Sequence, residues 1–274
     1  MICVLGTVVL SLPAVQTRLA GYVTDRINTE FGTDIRIDRL RVSLISWDTA
    51  LQDIYIADYK GDTLIYVSEL NTSILSLRDL AGGKLEFGDI EVNELYLNMR
   101  TYKEAPDTNL GIFIDKLDNG RPRAPGTPPF YFFSEGLEVY SSRFVLRDDN
   151  LENPVILDFT ELNVVADDFT IQGPEVHTRI EDFQVRTSRN VRVDKLATDF
   201  TYTRENMVFD SLYIRTPGSE LKGNLRFDYK REDLPEFTDK VQVTATFDQS
   251  TIALDEINQF YSGFGKGRTA LLST

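Results

Sequence analysis

Between residues 34 and 249 the chain alternates apolar and polar residues with a period of two, and few folds can use such a pattern. Leu221, Leu225, Phe227 and Tyr229 alternate with Lys222, Asn224, Arg226 and Asp228. Val241, Val243, Ala245 and Phe247 alternate with Gln242, Thr244, Thr246 and Asp248, and Ile35 and Ile37 alternate with Arg36 and Asp38, followed by Leu40, Val42 and Leu44. Successive side chains of a strand point to opposite faces, so this is a sheet with one apolar and one wetted face. Similar runs lie near residues 51–58, 62–76, 85–102, 136–147, 154–165, 176–187, 190–203 and 206–216. Turn-forming groups such as Lys60-Gly61-Asp62, Asp148-Asp149-Asn150 and Thr216-Pro217-Gly218 separate them. Ten or more strands at this spacing predict an antiparallel meander, with no parallel βαβ arrangement. Residues 90–97 and 137–146 share an apolar–Glu–Val opening and an apolar finish, a weak repeat that suits an elongating sheet.

Three segments depart from the pattern. Residues 1–12 carry no charge, too few for a bilayer span of about 20 residues. They fit the end of a transmembrane or signal-anchor helix, or else a buried N-terminal element. Val15, Leu19, Tyr22, Val23, Ile27 and Phe31 then recur at helical spacing, with Gln16, Arg18, Thr24, Asp25 and Asn28 on the other side. An amphipathic helix is expected there, capping the open end of the sheet in preference to lying on a membrane. Residues 103–130 hold five prolines, which cannot donate to a strand ladder, and read as an excursion within one continuous sheet. The expected organisation is a truncated anchor (1–14), the helix (15–32), a first sheet section (33–102), the connector (103–130), a second section (131–249), and a short helix with a tail (250–274).

The residues offer little chemistry. One cysteine, Cys3, and one histidine, His177, leave no thiolate zinc site and no recognisable catalytic triad. No phosphate-binding glycine loop occurs, and Gly263, Gly265 and Gly267 follow a possible helix instead of opening one. Asp148-Asp149 and Asp167-Asp168 sit at turns, where Asp bonds local backbone. The formal charge of -14 disfavours nucleic acid as a partner. The chain is expected to be no enzyme, without cofactor or metal.

The N-terminal helix with its following strand (15–44), the tryptophan-bearing stretch 44–66, DIYIADYKGDTLIYVSEL (53–70), KLEFGDIEVNELYLNM (84–99) and FDSLYIRTPGSELKGNLRFDY (209–229) together resemble the N-terminal region of TamB-type translocation and assembly module proteins of Bacteroidota, in the AsmA-like superfamily. The resemblance implies a mainly β, elongated and curved groove-like sheet behind a single-pass inner-membrane anchor, with its bulk in the periplasm. It implies phospholipid acyl chains as cargo and a role in outer-membrane biogenesis. An outer-membrane Omp85-class barrel would be the partner, met through a C-terminal domain that this sequence lacks.

Physical chemistry is compatible with that role. Carrying a bare acyl chain of about 16 carbons through water costs on the order of 12 kcal/mol, at about 0.8 per methylene. An apolar gutter that leaves the headgroup wet removes most of the barrier. Candidate gutter residues are Leu221, Leu225, Phe227, Val241, Val243 and Phe247. The alternatives are a closed sandwich core built from the same residues, or a scaffold that assists outer-membrane protein assembly and secretion by strand addition.

Overall fold

The alternating stretches become strands of a single sheet. The computed structural model of the chain describes residues 13–43, 46–75, 84–105, 107–117, 131–173, 175–187, 192–230, 241–253 and 256. Helix α1 (Pro13–Phe31) leads into β1 (Asp34–Val42), β2 (Asp48–Ala57), β3 (Thr63–Ile74) and β4 (Lys84–Thr101). Helix α2 (Asn109–Leu117) precedes β5 (Tyr131–Asp148), β6 (Val155–Gln172), β7 (Glu175–Thr187), β8 (Arg192–Tyr202), β9 (Asn206–Arg215), β10 (Glu220–Asp228) and β11 (Gln242–Phe247). The eleven strands lie side by side in sequence order, in a curved, unclosed sheet. Strands make substantial contacts with other strands only where they are sheet neighbours, and β1 also packs against α1. The expected anchor falls outside the described residues except for its last two positions, Pro13 and Ala14, which begin α1. The tail falls outside them except for residues 250–253 and 256. Among the described residues no helix is long and apolar enough to cross a membrane.

One joint corrects the expected meander. β4 and β5 run parallel, in register from Lys84↔Tyr131 to Thr101↔Asp148, while every other neighbouring pair is antiparallel. A parallel pair needs a crossover of a dozen residues or more, and residues 102–130 supply it. That segment is not wholly loop, because Thr108 caps α2 by accepting the Gly111 N–H at 3.0 Å. Asn109, fully buried, stitches α2 down: its amide group donates to the Asn98 carbonyl and to Asp58, and its oxygen accepts from Arg100 N.

Helix α1 also departs from its expected orientation. Gln16 and Thr24 are buried while Tyr22 is 66% exposed, so polar residues turn toward the sheet. The cause lies in β1, whose outer edge presents unpaired backbone groups. Gln16 donates to the Val42 carbonyl at 2.7 Å and accepts the Val42 N–H at 2.9 Å. Asn28 does the same at Ile35, both bonds at 2.8 Å. Each side-chain amide imitates a neighbouring strand. The lengths agree: 19 helical residues at about 1.5 Å and nine strand residues at about 3.3 Å both span close to 30 Å.

The apolar face as candidate functional site

Cross-strand register assembles the apolar face row by row. Leu40 pairs with Leu51, Leu51 with Leu70, Leu70 with Val92, Val92 with Val139, and Val139 with Val164. The row continues through Phe183, Leu196 and Ile214 to Leu221. Ten strands thus contribute one aliphatic or aromatic residue each, with no polar interruption. A second row runs from Leu85 through Phe132, Ile171, Val176, Tyr202, Met207 and Phe227 to Val243. Rings reinforce the face: Phe200 and Phe209 lie 4.9 Å apart between centroids, Phe209 and Phe227 6.0 Å, and Phe87 and Phe132 5.5 Å. Such contacts add about 0.5–1.5 kcal/mol per pair to simple burial.

The six residues singled out from sequence fall on this arrangement as follows. Leu221 ends the first row; Phe227 and Val243 end the second. Leu225 pairs with Ala245, and Phe247 lies opposite Gly223, so Leu221, Leu225, Phe227, Val243 and Phe247 share one face. Val241 is half-buried and immediately precedes β11. Val243 and Phe247 are 52% and 39% exposed. Residues further back are buried, including Val67, Ile90, Val92, Val139, Ala166 and Val185. No described helix or strand lies over them, and neighbouring side chains of the sheet, such as Ile54, Leu95, Phe132 and Val164, cover the cluster.

The opposite face is a field of charges. Arg143 pairs with Asp158 at 2.8 Å and Arg179 with Asp199 at 3.2 Å, and Arg36 lies over the Tyr55 ring. Exposed pairs of this kind contribute about 0–1 kcal/mol each and serve chiefly to keep the face wet. A cavity of about 620 Å³ lies among polar residues of β1–β4, where Asp48, Glu69, Asp89 and Glu91 face Arg41. His177, half-exposed, meets Thr201 Oγ1 at 3.2 Å. Asp148 accepts from Asn150 within its turn, and Asp149 pairs with Arg100 at 2.7 Å. Among the described residues no group of three or more His, Cys, Asp or Glu side chains gathers as a metal site.

One polar knot sits at the end of the sheet where α2 packs. Asp58 is buried, which opposes its ionisation. Hydrogen bonds from Asn109, Tyr102 and the Lys60 and Asp62 backbone outweigh that cost and hold its carboxyl below the usual range. Tyr102 meets Asp58 at 2.7 Å and Asp62 at 2.6 Å, and burial together with both carboxylates pushes its phenol far up.

Sequence reasoning found the last two strands of the apolar face and missed the ladder behind them. A signal for the rest was present. Apolar parity slips by one in strand after strand, from Ile37 to Leu40, Leu51 to Ile54, Val67 to Leu70 and Val92 to Leu95. No protein-family model matches the chain, and no curated protein matches it.

Proposed function

We propose that the chain is the N-terminal part of a lipid conduit, in which acyl chains lie along the apolar face and headgroups stay in water. The observation that carries this reading is the uninterrupted row from Leu40 to Leu221, on a face that no described element covers. Nine strand-to-strand steps at about 4.8 Å give roughly 43 Å. That exceeds the roughly 30 Å hydrocarbon thickness of a bilayer, which holds two tails end to end. Val92 and Val139 are buried and the other eight row residues half-buried, and an apolar face of this length with no covering element normally marks a binding site. In this reading the protein is an inner-membrane-anchored, periplasmic, non-enzymatic member of the TamB-type group. It passes phospholipid toward the outer membrane and an Omp85-class partner.

Photocrosslinking tests the proposal. A benzophenone side chain is placed at Phe227, at Phe247, or at Arg226 on the charged face, and the full chain is mixed with palmitoyl-oleoyl phosphatidylethanolamine vesicles. Lipid adducts at the two Phe positions and none at Arg226 are expected. Equal labelling of both faces, or no lipid adduct anywhere, sinks the conduit. A second reading, strand addition of client proteins, draws on β11, all six of whose residues are exposed at the far end of the sheet. Protein adducts without lipid adducts would favour it.

A further inference from the structure

The sheet carries a line of left-handed residues that none of the foregoing uses. Six residues inside strands have φ between 51° and 54°; Asp168 and Ser211 stand apart, and Asp53, Glu94, Ser141 and Glu161 lie on four different strands. None is glycine, and side-chain-bearing residues rarely adopt this conformation.

Register puts them at one level. Asp53 and Glu94 face Ser68 from either side, since Gln52 and Asn93 both pair with Glu69, and Ile54 and Leu95 both pair with Val67. Glu94 and Ser141 lie side by side between the pairs Asn93↔Tyr140 and Tyr96↔Arg143. Glu161 adjoins Leu162, the partner of Ser142. The pairing shifts again at Thr160/Asn163 and Phe183/Val185, where the seam ends, while Ser211 lies across the Leu40–Leu221 row from it, level with Thr198, Ile180, Ala166 and Leu137. A bulge bends its strand and sharpens its twist. Bulges aligned across a sheet bend all the strands along one line.

Polar side chains replace the ladder bonds lost along that line. Ser142 Oγ, 1% exposed, accepts the Leu95 N–H and donates to the Tyr140 carbonyl, both at 2.9 Å. Asn163 accepts the Ser141 N–H at 2.9 Å. Ser142 and Asn163 are polar because each completes the backbone bonding of a bulge.

We propose that this seam is a crease that sets the cross-section of the apolar trough. Its left-handed residues supply the bend, and Ser142 and Asn163 hold it. They are positioning residues, and the consequence for lipid capacity rests on the conduit reading above.

The test uses the full chain with Cys3→Ser and spin labels at Glu135 and Arg147, which lie on β5 either side of Ser141. Double electron–electron resonance should give a distance clearly short of the roughly 40 Å spanned by twelve steps of straight strand. The pair Glu94→Gly/Ser141→Gly permits the left-handed backbone and should keep the native distance. The pair Glu94→Val/Ser141→Val opposes it, and should lengthen the distance and reduce bound palmitoyl-oleoyl phosphatidylethanolamine at least twofold, with melting temperature recorded separately. A native distance at the straight-strand value overturns the crease even if the valine pair does not fold. Equal distances in folded glycine and valine pairs overturn it as well. If no variant binds lipid while the distances behave as expected, the conduit reading fails and the crease stands.

Discussion

Glu94 shows what a single position contributes here. Its φ of 54° costs a side-chain-bearing residue about 1–2 kcal/mol, which glycine largely avoids. Glu94→Gly is therefore expected to raise stability by about 1 kcal/mol in urea unfolding, although glycine in a strand usually lowers it. Ser142→Ala should act the other way. It leaves the Leu95 N–H without its partner inside the sheet, at a cost of about 1–3 kcal/mol in the same assay. Asp58 predicts a pH dependence. Its carboxyl is depressed in the folded state, so its contribution is fully present above the unfolded value of about 3.9. The contribution is lost as pH falls through the folded value. Asp58→Asn should thus flatten the decline in stability below about pH 4, measured by chemical unfolding across that range.

At the scale of elements, α1 acts as an edge guard. Replacing both Gln16 and Asn28 by Leu removes all four bonds to β1 and leaves the Ile35 and Val42 backbone groups free to pair elsewhere. The double variant is expected to self-associate in light scattering where the parent does not. The existence of α1 was legible from its spacing; its orientation was not. Periodicity ranks Tyr22 as inward and Gln16 as outward, because it cannot know that the surface opposite is a backbone edge in need of amides. The strands were legible for a related reason, since a one-sided sheet leaves its period in every strand. The parallel joint was hidden. The similarity of residues 90–97 and 137–146 is the register of that joint: Ile90 faces Leu137, Val92 faces Val139, and the left-handed Glu94 lies beside the left-handed Ser141. Two strands that must share faces and a bend carry similar sequences. The candidate trough was legible only at its exposed end, where β10 alternates without a slip of parity.

For the whole molecule, contact between neighbours alone makes the sheet nearly one-dimensional. Stability then varies along it instead of being shared evenly. Amide hydrogen exchange should be slowest in β3–β6, around the buried cluster of Val67, Ile90, Val92 and Val139, and fastest in β11. A uniform exchange profile across all strands would contradict this.

The row from Leu40 to Leu221 has a dynamic corollary. A flexible hydrocarbon resting along it meets the same kind of side chain at each interval of about 4.8 Å, with no charge to trap it and no gap to cross. Such a surface has low corrugation. Displacement by one strand exchanges each contact for a nearly equivalent one, so sliding is opposed by little more than friction. In the proposed conduit such a path would have no intrinsic direction, and any net flow along it would have to be imposed from its ends.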